Sequence, residues 1–435
     1  MIMSRSKDLL SRALVRIPEG TQTASKAARR FIGPGDVTPA FIERGRGAYL
    51  WDVDGNRWLD TTSALGAVIL GYGDRRVNKA ARAQVDRGPL FTLPGELEVS
   101  VAEELLQHWV PAMSYVRFFK TGSEALSAAI RLARAVTGRS RIAIVRPGYH
   151  GWHDWFIASQ EPAHGVTAAA RRDIEVIPRG DFCRLADVLC DKDRPCAALV
   201  MEPWSPELVE TVDYMIMSRN AKAFAVGART LCNETGTLLI FDEVLSGIRA
   251  GPTVASYLNL KPDLIALGKA LANGYPLAVL AGTHVMQRLN QDDVFVSGTY
   301  AGELVSLAVC QATLQALRED GKRALVAIHR WGDTYLRAVQ KILPPQGTVY
   351  GCPWRFVIQW TAQVYADLWQ QECARRGVLY TGGHNITLAH AQQAVMDHLL
   401  GVYAQVARVF AGITSVDDAE AKLAAPLTRP AFRRQ

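Results

Sequence analysis

Of the 49 basic residues in this 435-residue chain, only 11 are lysines, and one of these, Lys269, follows a glycine at the end of the apolar run Leu264-Ile265-Ala266-Leu267. Burial at a strand end disfavours the ammonium form of a lysine, lowers its pKa and makes its amine a usable nucleophile near neutral pH. A lysine that forms a Schiff base with pyridoxal phosphate (PLP) needs that property. Asp242 lies 27 positions earlier, directly after the apolar run Leu238-Leu239-Ile240-Phe241. A carboxylate there can hold a pyridine nitrogen protonated through a charge-assisted hydrogen bond. The same two residues also fit a blander reading, in which Lys269 is a helix lysine lying along the surface and Asp242 an ordinary helix N-cap.

Two further segments carry groups suited to a flat, phosphorylated ligand. Between the apolar run Tyr115–Phe119 and a helical pattern lies Thr121-Gly122-Ser123-Glu124. A glycine and a hydroxyl at a helix start offer N–H groups, an O–H and the positive helix end to a phosphate, although Ser123 also fits a simple N-cap. Pro147-Gly148-Tyr149-His150-Gly151-Trp152-His153-Asp154 follows another apolar run, and its Tyr149 can stack on a ring. His150, His153 and Asp154 have the side chains of a metal site, but no cysteine or further histidine lies at ligand spacing, so no metal is assigned. No G-x-G-x-x-G opens a βαβ unit and no Walker A loop is present, which removes most support for nucleotide hydrolysis.

These groups need a scaffold. Apolar runs at 141–145, 174–177, 197–201, 238–241, 264–267 and 278–281 alternate with helical patterns, which predicts an α/β fold whose mostly parallel sheet is covered by helices on both faces. The alternation on either side of Asp54-Gly55-Asn56 predicts a β-hairpin. Ahead of it, Leu9, Leu10, Ala13, Leu14 and Ile17 recur at helical spacing, as in an amphipathic helix docked on the body. Three zones result: 1–72 as the N-terminal segment of a small domain, 73–314 as the large ligand-binding domain, and 315–435 as the C-terminal part of an α+β small domain. The last contains helices at 365–376 and 389–410 and a strand at 354–360, and the tail from Ala424 is expected to be poorly ordered.

Composition narrows the partners. Formal charge is +7, with the basic residues spread along the chain, which argues against a nucleic-acid arm and allows an anionic substrate. Seven cysteines without a CxxC pair point to free thiols in a reducing compartment. No apolar stretch is long enough to span a bilayer, so a cytoplasmic location with no membrane partner is expected.

Taken in order, Tyr49–Asp60, Thr121–Ala125, Tyr149-His150-Gly151, Glu202-Pro203, Phe241-Asp242-Glu243-Val244, Gly268-Lys269-Ala270, Asn273-Gly274-Tyr275-Pro276 and Ser297-Gly298-Thr299 resemble the class III aminotransferases of PLP fold type I, in the glutamate-1-semialdehyde aminomutase-like branch. The resemblance implies PLP as cofactor, Lys269 as the Schiff-base lysine and Asp242 as partner of the pyridine nitrogen. It also implies that Val244 and Tyr149 bracket the ring and that Gly122 and Ser123 hold the phosphate. Thr299 matches a residue that reaches the phosphate of the neighbouring subunit, which implies a homodimer with active sites at the interface.

The departures from the pattern bear on substrate. Where the aminomutase has a carboxylate-binding arginine this chain has Lys26, and lysine cannot form the planar bidentate fork. Glu207 matches the glutamate of ornithine- and GABA-type members, or is an exposed loop acid. Their partner arginine has no counterpart, because 377–405 contains none. The expected activity is therefore transfer of an amino group from a donor amine to an aldehyde or ketone acceptor, sugar-like or from secondary metabolism. An intramolecular aminomutase, a PLP-dependent epimerase or decarboxylase, and a non-catalytic paralogue are the alternatives.

Overall fold

In the computed structural model of the chain, residues 3–160, 163–204, 219–290 and 292–428 are described. They divide into two compact units, one formed by residues 3–74 and 320–428, the other by 75–204 and 219–319.

The first unit opens with the helix Ser4–Arg16. Its start is held by the Asp54 carboxylate, which accepts hydrogen bonds from the Arg5 and Ser6 N–H groups at 2.8 Å. Its apolar side is not fully covered, since Leu14 is 53% exposed; polar anchoring of the first turn does much of the docking assigned to the apolar stripe. Strands β1 (Ile42–Arg46), β2 (Tyr49–Asp52) and β3 (Arg57–Asp60) form an antiparallel meander, and the β2–β3 turn is the Asp54-Gly55-Asn56 turn read from sequence. Buried Asp52 shapes that turn by accepting from the Asn56 N–H at 2.8 Å and from Trp58 Nε1 at 2.9 Å.

The second unit is built on a seven-stranded sheet. Its strands are β4 (Tyr115–Phe119), β5 (Arg141–Arg146), β6 (Ile174–Pro178), β7 (Cys196–Met201), β8 (Leu238–Glu243), β9 (Leu264–Leu267) and β10 (Ala278–Gly282), in the spatial order β4-β10-β9-β8-β7-β5-β6. Every apolar run singled out above becomes a strand of this sheet. Residues of β7 and β9 are buried throughout, as expected of strands covered on both faces. The exception to parallel order is β10, which runs antiparallel to both neighbours, β4 and β9. Helix Gly122–Thr137 packs its Leu126, Ala129, Ile130 and Ala133 into a core shared with Ile142, Ala198, Ile240 and Leu264.

Helix Leu304–Ile342 leads back into the first unit, where β11 (Gly347–Cys352), β12 (Arg355–Trp360) and β14 (Gly383–Asn385) form a three-stranded sheet, while β13 (Val378–Leu379) adds to β3 in parallel. Helices Gln363–Arg375 and Gln393–Phe410 complete it. The beginning of the tail is anchored: the Thr428 N–H donates to Asp367 at 2.7 Å and the Ala424 N–H to Gln371 at 2.6 Å. Among the described residues, no helix is long and apolar enough to cross a membrane.

Candidate active site

Strand register brings the chemistry to one edge of the large sheet. β8 and β9 are parallel, with Asp242 opposite Ala266 and Glu243 opposite Leu267, so Lys269, two residues past Leu267, leaves the sheet at the same edge as Asp242. Because β10 reverses, pairing Val279 with Leu267 and Ala278 with Phe119, the C-terminal end of β4 reaches the same edge and delivers Thr121-Gly122-Ser123. β5, parallel to β7 and through it to β8, brings Tyr149 and His150. Ligands of open α/β sheets bind at the carboxyl ends of strands for this reason.

Lys269 has φ 44°, a left-handed conformation for a residue with a side chain, which costs about 1–2 kcal/mol. Backbone strain of this kind concentrates at functional sites. Gly268 and Gly122 flank Val244 closely: a Cβ on Gly268 would lie 3.1 Å from Val244 Cγ1, and one on Gly122 2.9 Å from Cγ2. Gly151, at φ 105°, approaches Ser123 so closely that a Cβ there would overlap the Ser123 hydroxyl. Thr121, not Ser123, is the N-cap of the helix Gly122–Thr137; its hydroxyl accepts from the Glu124 N–H, and Glu124 accepts from the Thr121 N–H at 2.8 Å. Ser123 is thereby released from capping, and its hydroxyl stands with the first N–H groups of a 16-residue helix, a ready site for a phosphate.

Behind these groups lies a buried polar cluster. His150 Nδ1 and Asp242 Oδ2 are 2.7 Å apart, and the Val244 N–H donates to Asp242 Oδ1 at 3.0 Å. Glu202 accepts from the Tyr149 N–H at 3.1 Å. Burial, then the charge of Asp242, raises the Glu202 pKa; the same two causes in the same order raise that of Tyr149. The two histidines of the Tyr149–Asp154 segment part ways, since His153 Nδ1 bonds the Ser127 hydroxyl. His150, Glu202 and Asp242 instead present one atom each within 4.8 Å of one another, a spacing a cation could use. His150 and Asp242 already hydrogen-bond each other.

Lys269, Asp242, Val244, Tyr149, Gly122 and Ser123 are thus gathered at one edge. Thr299 sits in an exposed turn of the same unit, with no hydrogen bond to the Gly122–Ser123 turn among the described residues. Lys26 is exposed at the end of the short turn Ala24–Lys26 in the first unit, and Glu207 lies outside the described residues. The sequence offers His150 only as one of three side chains with metal-ligand chemistry; its partner here is Asp242, 92 residues away, a separation at which spacing carries no signal.

Comparison with known proteins agrees with this geometry. The family model for class III aminotransferases matches residues 32–343. The chain belongs to that family. This class III enzyme uses PLP, and its fold is PLP fold type I. It is 31% identical over 349 residues to a glutamate-1-semialdehyde 2,1-aminomutase from Methanothrix thermoacetophila, covering 78% of this chain and 76% of that one. The enzyme of the same name from Archaeoglobus fulgidus is 33% identical over 336 residues, covering 74% and 76%. Among solved structures, the PLP internal aldimine form of Sphingopyxis sp. MTA144 FumI superposes with a TM-score of 0.83 at 29% identity over 96% of this chain and all of that one. An omega-transaminase from Sphaerobacter thermophilus, at 23% identity and TM-score 0.82 over 96% and 98%, shares the fold.

The residues at the edge fit PLP: a strained lysine beside a buried carboxylate, a glycine-lined contact with Val244, and a helix start with a released hydroxyl. Gly151→Ala should push against Ser123 and weaken PLP retention roughly tenfold, about 1.4 kcal/mol, and, because φ at this position is 105°, should also lower the thermal midpoint. Equilibrium dialysis of the absorbing holoenzyme measures it; unchanged retention would remove Ser123 from the phosphate site.

Proposed function

We propose that this enzyme moves an amino group from an amine-bearing carbon to a carbonyl carbon, within one molecule, in the manner of the glutamate-1-semialdehyde 2,1-aminomutases. Amino transfer is supported by the β8–β9 register, which brings the end of the strand carrying Asp242 and the end of the strand preceding Lys269 to one edge of the sheet. The intramolecular form is supported by relatives of that name at 31–33% identity over about three quarters of the chain.

PLP supplies an aldehyde carbon that captures amines and a ring that spreads the negative charge left on a substrate carbon. With PLP bound, Lys269 would hold it through Nζ, and its amine, once freed, would move a proton at the substrate carbon as general acid and base. Asp242 keeps the ring nitrogen protonated through its carboxylate. Val244 and Tyr149 would confine the ring faces, and Gly122 and Ser123 would bind the phosphate.

A second reading, transfer between two molecules to an aldehyde or ketone without a nearby carboxylate, is favoured by one observation. Position 26 is a lysine and 377–405 lacks arginine, so the bidentate carboxylate clamp is missing. An imperfectly paired carboxylate costs several kcal/mol, on the order of a thousandfold in affinity. Glutamate-1-semialdehyde supplied alone decides between them. The first reading expects 5-aminolevulinate at a rate independent of added amino donor. No product without a donor, together with turnover of carboxylate-free carbonyls when one is added, would establish the second and end the first.

The assembly in this reading is a homodimer in which Thr299 completes the phosphate site of the partner, supported by the exposed position of Thr299 between Phe295, 60% exposed, and Tyr300, 64% exposed. Lys269→Ala and Thr299→Ala should each be inactive or weak alone, and mixing them should restore one good site per heterodimer. If the mixture gains nothing beyond the average of its parts, Thr299 acts within its own subunit or not at all.

A further inference from the structure

The exposed face of the meander in the first unit carries three arginines and two aromatic rings. β1 is the outer strand of its sheet, and its pairing with β2 shifts between Ile42, opposite Asp52, and Arg44, opposite Trp51. Glu43 is the extra residue of this bulge. Pairing without the bulge would set Arg44 against Leu50, which is buried. The bulge instead sets Arg44 against Trp51 and Arg46 against Tyr49; bulges re-aim side chains in this way. From the other flank, Arg57 of β3 stands opposite Trp51. Burial separates the two faces: Leu50, Asp52 and Trp58 are buried, whereas Arg44, Arg46 and Arg57 are exposed.

Rings, not acids, hold these arginines. Arg44 Cζ lies 3.9 Å from the centroid of the Trp51 ring, and Arg57 Cζ lies 4.8 Å from that of Tyr49. Tyr49 is fixed in turn by His398 of helix Gln393–Phe410, whose ring stacks on it with centroids 6.0 Å apart and whose Nδ1 lies 3.3 Å from its hydroxyl. Burial, then the charge of Arg57, holds the His398 pKa below its ordinary value. Asp397, the acid next to His398, accepts from Gln393 at 2.7 Å. Among the described residues, no carboxylate pairs with Arg44, Arg46 or Arg57. A guanidinium held over a ring keeps its N–H edge free, in the fork geometry that matches a carboxylate. Stacking also restricts the side chain in advance, so less freedom is lost when a ligand arrives.

We propose that this face of β1–β3 is a docking surface for an acidic, extended segment of another protein, with carboxylates at alternate positions set against Arg44 and Arg46 and a further one against Arg57. Charge complementarity and spacing support that occupant. Alternate residues of a strand stand about 6.8 Å apart, so Arg44 and Arg46 match acids at every second position of an extended chain. Arg57 lies two strands away, about 10 Å across the sheet, beyond the span of a single phosphate or small dicarboxylate. Nucleic acid is the poorer fit. The rings that would stack on bases already carry guanidiniums, and the basic residues of the chain are spread rather than gathered into a stripe.

The test uses the full-length holoenzyme and a fluorescein-labelled peptide of alternating glutamate and threonine, read by anisotropy. Binding should saturate below about 1 mM and weaken as salt rises. The triple variant Arg44→Gln, Arg46→Gln, Arg57→Gln should weaken it roughly tenfold or more, with activity and thermal midpoint near those of the parent. Arg44→Lys with Arg57→Lys keeps the charges but loses the fork, and should weaken binding about threefold. Should the triple variant not fold, this lysine pair carries the comparison. Parental affinity in the arginine variants overturns the proposal, as does the absence of saturable binding to the parent. Oligothymidylate that binds the parent more tightly than the peptide, and is lost in the triple variant, overturns the acidic-protein partner. A triple variant that sediments as a smaller species than the parent assigns the face to a second copy of this chain and overturns the proposal likewise.

Discussion

The parallel pairing of β8 with β9 is the constraint on which the site depends. Shifting that register by one residue would send Asp242 to the opposite face of the sheet, because successive strand side chains alternate. Burial prevents such a slip: β9 is buried along its whole length, and in β8 only Leu238 is not fully buried. The hydrophobic effect that holds the two central strands in register also brings the strand ends next to Lys269 and Asp242 to one edge of the sheet. Lys269 then enters a left-handed turn immediately after Gly268, a conformation stabilised by the packed strand behind it rather than by its own preference.

Around that pair the chain manages buried charge with economy. Three ionisable side chains, His150, Glu202 and Asp242, sit close together beneath the surface. Burial, and after it the nearby charge of Asp242, raises the Glu202 pKa. Deeper in the same unit Glu243 is pushed up to about 7 by burial, although it accepts the Val254 and Ala255 N–H groups. It thereby ties the segment after β8 back to the strand that carries Asp242. The helix from Gly122 adds a fixed partial positive charge at the opposite side of the glycine-lined contact with Val244.

Much of this was legible in the sequence, and the limits have physical causes. Continuous apolar runs located every strand of the large sheet, because strands covered on both faces must be apolar on both. The reversal of β10 was not visible: an apolar run has no direction, and only pairing with β4 and β9 reveals it. Thr121-x-x-Glu124 is a readable capping box, and the cap at Thr121 means that the Ser123 hydroxyl is not spent on capping. The partnership of His150 with Asp242 joins two strand ends that spacing cannot relate. The Ala424–Thr428 segment looked like loose tail from its composition, but Gln371 and Asp367 bind its backbone.

The central claim, that Lys269 carries the cofactor at the strand edge beside Asp242, is tested most directly by borohydride reduction of the PLP-loaded enzyme followed by peptide mapping. The account predicts one phosphopyridoxyl label per chain, on the peptide containing Gly268-Lys269-Ala270, and none in Lys269→Ala. A label on any other lysine, or an undiminished label in Lys269→Ala, would contradict it.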